Sequence, residues 1–263
     1  MKIVVITGST RGIGYGLADA FLALGCAVTL SGRAQAAIDP VVARLGVKHE
    51  PQRVFGYPCD VTDDAQVQAL WDAAKARFGQ IDIWINNAGI AHRISDFAQM
   101  PPEQMKTVVE TNLLGAMYGC RVALKGMQAQ GFGSIYNLEG LGSSGGRQVR
   151  GLSLYGTTKA ALRYLDDALM QETKGTPIIA GALQPGMTVT DMLTKQYEGQ
   201  PEEWAKFKPI LNILSDRVET VTPWLAQKVL ANTRTGVRFA WTGGGKIMWR
   251  FLTAPFVKRK VVE

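Results

Sequence analysis

Histidine is almost missing from this chain of 263 residues: only His49 and His92 occur. That excludes a histidine-rich metal centre and any mechanism built on paired histidines, and no metal site is expected. Cysteine is nearly as sparse. Cys26, Cys59 and Cys120 lie far apart, odd in number and without a CxxC pair. Such a set argues against a disulfide scaffold and a zinc site, and suits a reducing cytoplasm. No apolar run approaches the length of a membrane span, and the run before Thr7-Gly8 is too short for a signal peptide. A soluble cytoplasmic protein is expected. Hydrophobic residues make up 46% and charged residues 19%, which rules out a disordered, collagen-like or coiled-coil chain. The net charge is +7, but most of it is local: Arg234 to Glu263 carries seven Lys or Arg against one acid. The remainder is close to neutral, so a nucleic-acid-binding field is not expected.

Strand-like and helix-like segments alternate from the start. Strands are expected at Lys2–Thr7, Ala27–Leu30, Val54–Tyr57, Ile81–Ile85, Ser134–Leu138, Ile178–Leu183 and Val237–Trp241. Helical periodicity marks Gly14–Gly25, Ala65–Phe78, Pro102–Gln130 and Leu154–Thr173. This alternation predicts an α/β fold, a single doubly wound, Rossmann-type parallel sheet of about seven strands with helices on both faces. No linker divides the chain and no repeat occurs, so residues 1–245 read as one dinucleotide-binding catalytic domain. Within it, Thr190–Thr222 breaks the alternation and reads as an irregular lid. Residues 246–263 form a basic, apolar tail.

The first strand runs into Thr7-Gly8-Ser9-Thr10-Arg11-Gly12-Ile13-Gly14, and a helix follows. A dinucleotide pyrophosphate needs backbone N–H groups at a helix N-terminus with no side chains in the way. Gly8, Ser9, Thr10, Arg11, Gly12, Ile13 and Gly14 are therefore expected to hold it, although the spacing is GxxxGxG. An acid at the end of the second strand would select NAD. Here that position is Gly32, followed by Arg33, and Arg11 can reach the same side. Two guanidiniums favour a 2′-phosphate, each worth ~2 kcal/mol as a charge-assisted bond. NADP(H) is the expected cofactor.

Tyr155 and Lys159 are four residues apart on one helix and share a face. A phenol has a pKa near ~10 in water, and a neighbouring ammonium is expected to lower it. The phenol can then give a proton to a carbonyl oxygen as hydride arrives at the carbon. Four further strings accompany this pair: Cys59-Asp60-Val61-Thr62, Asn86-Asn87-Ala88-Gly89, Thr111-Asn112-Leu113-Leu114-Gly115, and Pro185-Gly186-Met187-Thr188-Val189-Thr190. In this order the chain resembles the short-chain dehydrogenase/reductase family over residues 1 to about 240. The resemblance implies that Lys159, beside Tyr155, holds the nicotinamide ribose, and that Asn112 fixes a relay water. It implies that Asp60 and Val61 contact adenine, and that Asn87, Ala88 and Gly89 line the adenosine side. Thr188 and Thr190 would hold the carboxamide, with Pro185 and Gly186 counted among the cofactor-binding residues. Plain turn chemistry is the alternative for Asn87 and Pro185. The family also implies a homodimer or homotetramer built through Pro102–Gln130 and Leu154–Thr173.

One position departs from the family pattern. Counting 13 residues back from the tyrosine, where the family places a substrate-binding serine, gives Gly142. Counting forward, Asn-x-x-Ser has become Asn137-x-x-Gly140, and the loop looks about two residues longer. Ser143 is the first candidate for the oxygen-binding hydroxyl and Ser144 the second. The strings Asn137-Leu138-Glu139-Gly140-Leu141-Gly142-Ser143, Tyr155-Gly156 with Lys159, Pro185-Gly186-Met187 and Thr190-Asp191-Met192-Leu193 resemble the chlorophyll(ide) b reductase branch, which reduces a formyl group on a large flat ring. Glu139 is read as a capping or pairing residue in preference to a substrate contact. The expected activity is reduction of an aldehyde or ketone on a bulky hydrophobic small molecule. A general 3-oxoacyl or xenobiotic ketone reductase and an NADPH-binding regulatory protein with little turnover are the alternatives. The tail is expected to pack on a neighbouring subunit in preference to a membrane surface.

Overall fold

The computed structural model describes residues 1–145 and 148–262. Gly146 of the glycine-rich loop, Arg147 and the last tail residue, Glu263, lie outside the described residues. Nine strands are found among them: β1 (Ile3–Ile6), β2 (Ala27–Gly32), β3 (Val54–Pro58), β4 (Ile83–Asn86), β5 (Gly133–Leu138), β6 (Ile178–Gln184), β7 (Thr188–Val189), β8 (Asp216–Arg217) and β9 (Val237–Ala240). The helices are α1 (Gly12–Ala23), α2 (Gln35–Lys48), α3 (Asp64–Phe78), α4 (Pro102–Val109), α5 (Gly115–Gln130), α6 (Ser153–Glu172), α7 (Asp191–Thr194), α8 (Pro201–Leu214), α9 (Val218–Ala231) and α10 (Gly244–Thr253). Seven strands form one sheet in the order β3-β2-β1-β4-β5-β6-β9. All of its pairings are parallel. The short β7 and β8 pair separately.

Strands β1 and β4, read IVVI and IWIN, are buried at every residue. That is the composition a central strand covered on both faces requires. One face packs Leu17 and Phe21 of α1 against Leu225 and Val229 of α9. The other packs Leu70 and Trp71 of α3 and Met127 of α5 around Trp84 of β4. Trp71 and Trp84 lie tilted at 5.9 Å. Asp63 caps α3 by accepting hydrogen bonds from the N–H groups of Ala65 and Gln66. The chain leaves β1 toward β2 and β3, then returns to place β4 on the other side. The crevice above β1 and β4 is thus the topological switch point, where open α/β sheets bind ligands.

All seven expected sheet strands are present, with ends shifted by at most two residues. The helix α2 was not expected from the sequence, because Pro40 and Gly46 interrupt its pattern; Ile38, Val41 and Leu45 nevertheless bury one face. The expected continuous helix Pro102–Gln130 is broken by a π-turn at Glu110–Leu114. The segment Thr190–Thr222 is not irregular. It holds α7, α8 and β8, and its last five residues already belong to α9. Tyr197, Trp204 and Phe207 cluster there, with the Tyr197 ring 5.6 Å and 5.4 Å from the other two. The polar residues between them masked the helical spacing of Trp204, Phe207 and Leu211.

Trp71 is buried and fills the space that Gly126 of α5 leaves open. Trp71→Ala removes this contact between two helices and the sheet, and should cost about 3–5 kcal/mol of unfolding free energy. Urea melts of parent and variant measure it.

Candidate active site

At the end of β1 the chain turns tightly. Gly8 has φ +61, and a Cβ there would lie 2.8 Å from the Ala88 backbone. A side chain on Gly14 would meet Asn87 and the Gly8 carbonyl. The turn is braced from within. Ser9 is fully buried; its hydroxyl donates to the Ile6 carbonyl at 2.8 Å and accepts from the Ser31 N–H at 2.9 Å. Asn87 donates to the carbonyls of Thr7 and Gly8 at 2.8 and 2.9 Å. Thr7 Oγ1 accepts from the N–H groups of Asn87 and Ala88. The side chains of Ser9 and Asn87 therefore shape the cradle, while Gly12, Ile13 and Gly14 open α1. No side chain caps that helix, so its first N–H groups are available to an anion. These features fit a dinucleotide pyrophosphate.

At the end of β2, a Cβ on Gly32 would lie 2.9 Å from the Thr10 methyl. A side chain there would require Thr10 to shift. Arg33 is exposed. Arg11 is 72% exposed and sits 3.7 Å from Asp191 at the start of α7, so its head turns toward the lid. After β3, Asp60 accepts from the N–H and hydroxyl of Thr62, and buried Val61 packs against Gly115. Thr188 is buried with its hydroxyl on the Pro185 carbonyl at 3.2 Å. The Thr190 methyl lies beside Gly12, 3.5 Å from where a Cβ on that residue would stand. Gly186 has φ +69 and abuts Thr242.

The reactive group is built on α6. Tyr155 and Lys159 face the end of β5, where the Lys159 ammonium donates to the Leu138 carbonyl at 2.8 Å. Burial lowers the Lys159 pKa to about 8, against the attraction of Asp166 and Glu139. The expected lowering of the phenol does not occur. Burial pushes Tyr155 up to about 12, because the ammonium is aimed at a backbone oxygen and lies 5.9 Å from the ring centroid. Asn112 sits in the π-turn, buried. Its amide accepts from the Ile90 N–H and donates to the Ile90 carbonyl, at 2.8 and 2.9 Å, and reaches Thr158 Oγ1 at 3.3 Å. The side chain is thus committed to structure. Gly89 lies between it and Lys159.

The position facing the phenol is Gly140, not Gly142. A Cβ on Gly140 would lie 2.7 Å from the Tyr155 hydroxyl, whereas one on Gly142 would strike the Gly156 backbone. Counting back from the tyrosine misplaces the site because the loop between is two residues longer; counting from Asn137 finds it. Ser143 is buried, with its hydroxyl on the Gly140 backbone: it donates to the carbonyl at 2.5 Å and accepts from the N–H at 3.2 Å. Ser144 is exposed.

Behind this loop lies a polar chain that the sequence reading missed in part. Glu139 is buried and takes hydrogen bonds from Gln184 and Arg238. Arg163 stands 4.0 Å from Glu139 and donates to the Ser143 carbonyl at 3.3 Å. Glu139 thereby pairs near the loop and anchors the arginine that holds it. Asp166, one helical stretch beyond Lys159, is also buried and accepts from Asn137 at 2.5 Å. Asn137 in turn bonds Asn86, which accepts from the Trp84 indole. Burial and the neighbouring Glu139 carboxylate raise Asp166 to about 8. Buried His92 was also missed; its Nδ1 meets the Arg93 carbonyl and its Nε2 the Tyr155 N–H. No signal marked Asp166 beyond its seven-residue offset from Lys159, which puts both on one helix face.

A parallel sheet in this strand order, with a glycine turn at its switch point and a Tyr–Lys pair at the end of β5, defines a dinucleotide-dependent class of oxidoreductases. Residues 2–201 match the family model described as short chain dehydrogenase, and the chain belongs to that family. Among curated relatives, it is 36% identical over 233 residues to the chloroplastic chlorophyll(ide) b reductase NOL of Oryza sativa subsp. japonica, covering 87% of this chain and 66% of the relative. The chain thus spans just under two thirds of that relative's length. It is 34% identical over 192 residues to a 3alpha-hydroxysteroid dehydrogenase of Mediterraneibacter gnavus, covering 73% and 76%. The solved 3-ketoacyl-(acyl-carrier-protein) reductase from Brucella melitensis, complexed with NADH, superposes with a TM-score of 0.80 at 26% identity, over 93% of this chain and 98% of that one. Actinorhodin polyketide ketoreductase with NADPH gives 0.82 at 26% identity, over 92% and 96%.

The raised Asp166 pKa has a stability consequence. A folded-state value above the unfolded 3.8 means that the neutral acid favours folding. That stability is complete below the unfolded pKa and is lost as pH climbs toward about 8. Asp166→Asn keeps the acceptor for Asn137 and cannot ionise. Its melting temperature should fall less than the parent's between pH 5 and pH 9; parallel slopes in thermal melts would contradict this.

Proposed function

We propose that this chain is an NADPH-dependent carbonyl reductase acting on an aldehyde or ketone of a bulky apolar small molecule, with a formyl group on a large flat ring as the favoured substrate class. The observation that carries the reading is the Tyr155 hydroxyl facing the bare Gly140 position, where a Cβ would stand at 2.7 Å. Among the described residues that hydroxyl has no hydrogen-bond partner, so it is free for a substrate oxygen.

When bound, the dinucleotide supplies the hydride. Gly8, Gly12 and Gly14 with the start of α1 hold its pyrophosphate; Lys159 holds the ribose; Thr188 and Thr190 orient the carboxamide. Tyr155 donates its proton to the carbonyl oxygen. Its pKa near 12 keeps it protonated through neutral pH, which is the form a reduction needs. The Lys159 ammonium, charged below about pH 8, stabilises the phenolate left behind. Ser143, held on the Gly140 backbone, orients the oxygen. Asn112 secures the π-turn beside Lys159 through its bonds to Ile90.

The choice of NADPH rests on Gly32, which carries no acid to repel a 2′-phosphate, and on Arg33 and Arg11. The exposed Arg11–Asp191 pair is worth little in water, so a 2′-phosphate can claim the guanidinium. The names of the plant and steroid relatives and the aromatic cluster of Tyr197, Trp204 and Phe207 support a large apolar substrate. We place the protein in the cytoplasm as a homodimer or homotetramer assembled through α5 and α6, whose Met117 and Tyr164 side chains are exposed.

NADPH oxidation against aldehydes and ketones graded by size tests the reading. Tyr155→Phe should lose ~10²–10⁴ in kcat/KM; full retention would remove the phenol from the mechanism. Arg33→Asp should raise KM for NADPH about tenfold or more and spare KM for NADH. Steady-state kinetics with both cofactors read this directly, and an unchanged preference refutes the role of Arg33.

A further inference from the structure

The C-terminal tail is built inside out. Lys246, Arg250 and Arg259 point into the protein while its large apolar residues point away. On α10, Lys246, Arg250 and Thr253 follow one another at helical spacing along the inner side. Arg250 bonds Asp216 at 2.7 Å and the Leu214 carbonyl at 2.7 Å. Lys246 lies 3.7 Å from the same carboxylate and 3.4 Å from the centre of the Trp241 ring. Beyond the helix, Arg259 bonds Asp216 and the carbonyls of Ile213 and Ser215. The Val261 and Val262 N–H groups donate to Asn212. One buried carboxylate thus gathers three cations and pins the tail to the end of α8. The opposite side carries Met248, Trp249, Phe251, Leu252 and Phe256, all exposed, with Trp249 at 67% and Phe256 at 87%.

A helix fixed in this orientation by its own ionic contacts has one reason to keep aromatic side chains in water, which is that something apolar covers them. The charge beside them selects what. Lys258 and Lys260, which follow Phe256 closely in the chain, are exposed. Among the described residues neither has a carboxylate within ion-pairing range. The whole chain is basic as well, at +7. A second copy docked face to face would set these lysines against their equivalents, whereas an anionic surface would attract them. The helices α5 and α6, where the family's assembly is expected, are separate elements from α10.

We propose that α10 and the tail form a docking surface for an anionic phospholipid bilayer, with the aromatic side lying in the headgroup region and Lys258 and Lys260 contacting acidic lipids. The contact is interfacial: no described helix is long and apolar enough to cross a membrane. This rests on exposure and charge alone, and is independent of which carbonyl the active site takes.

The test is co-sedimentation of the full chain with phosphatidylcholine–phosphatidylglycerol vesicles and with pure phosphatidylcholine vesicles, at low and high salt. Binding should favour the anionic vesicles and weaken with salt. The pair Trp249→Ser with Phe256→Ser should lower partitioning about tenfold or more, and Lys258→Glu with Lys260→Glu should abolish the preference for acidic lipid. Both substitute exposed residues, so an unchanged melting temperature checks that the fold is intact. Absence of binding to anionic vesicles, or equal binding by parent and variants, overturns the proposal. So does a dimer in sedimentation equilibrium that the Trp249/Phe256 variant dissociates while the parent ignores lipid; a second copy would then be the occupant.

Discussion

The hydrogen bond from the Lys159 ammonium to the Leu138 carbonyl organises the site. It joins the middle of α6 to the last residue of β5 across 2.8 Å. Holding an ammonium out of water is costly, and the fall of its pKa to about 8 measures that cost, on the order of a few kcal/mol. Two features offset it: a fixed carbonyl dipole and the nearby buried Glu139 carboxylate. Remove the carbonyl and the charge has no hydrogen-bond acceptor; remove Glu139 and it loses a neighbouring carboxylate. Because β5 pairs with both β4 and β6, the lysine is referenced to the centre of the sheet and not to a loop.

That arrangement explains how the chain tolerates glycine where the family places serine. A serine at position 140 would put its Cβ 2.7 Å from the phenol oxygen, closer than packing allows. The path of the chain after Leu138 brings the backbone itself up to Tyr155. Three residues later Ser143 folds back, with its hydroxyl on the Gly140 backbone. Arg163 then fixes the Ser143 carbonyl, and Glu139 fixes Arg163. The extra loop length and the carboxylate at Glu139 are two parts of one solution.

Much of this was legible in the sequence where side-chain identity and local spacing decide. Seven strands stood out because central parallel strands are short, apolar and β-branched. The glycine turn and the Tyr155–Lys159 pair stood out because each is a local motif. What stayed hidden depends on contacts between distant residues. Pro40 and Gly46 concealed α2, which is held by burial of Ile38, Val41 and Leu45 against the sheet. Asp166 carries no motif; it matters because β5 brings Asn137 to it. The phenol's pKa went the opposite way from expectation since spacing gives proximity on a helix but not the direction of an ammonium. The tail's composition was plain, but not the inward turn of its cations, which Asp216 imposes from β8.

Around Tyr155 nearly every polar side chain is already bound to backbone. Lys159 holds Leu138, Asn112 holds Ile90, Ser143 holds Gly140, Thr188 holds Pro185, and Asn87 holds Thr7 and Gly8. Each anchor is a carbonyl at the end of a strand or in the turn that follows it, so the site inherits the rigidity of the sheet. Preorganised groups of this kind pay their ordering cost in folding and not at the moment of reaction. Within such a set the exception is informative. The Tyr155 hydroxyl is the one member left without a partner among the described residues. The residue is half-buried and its hydroxyl is not sealed from solvent, so a carbonyl oxygen placed over Gly140 would find it free. In the proposed reading, the partial burial that raises its pKa also keeps its proton in place for that oxygen.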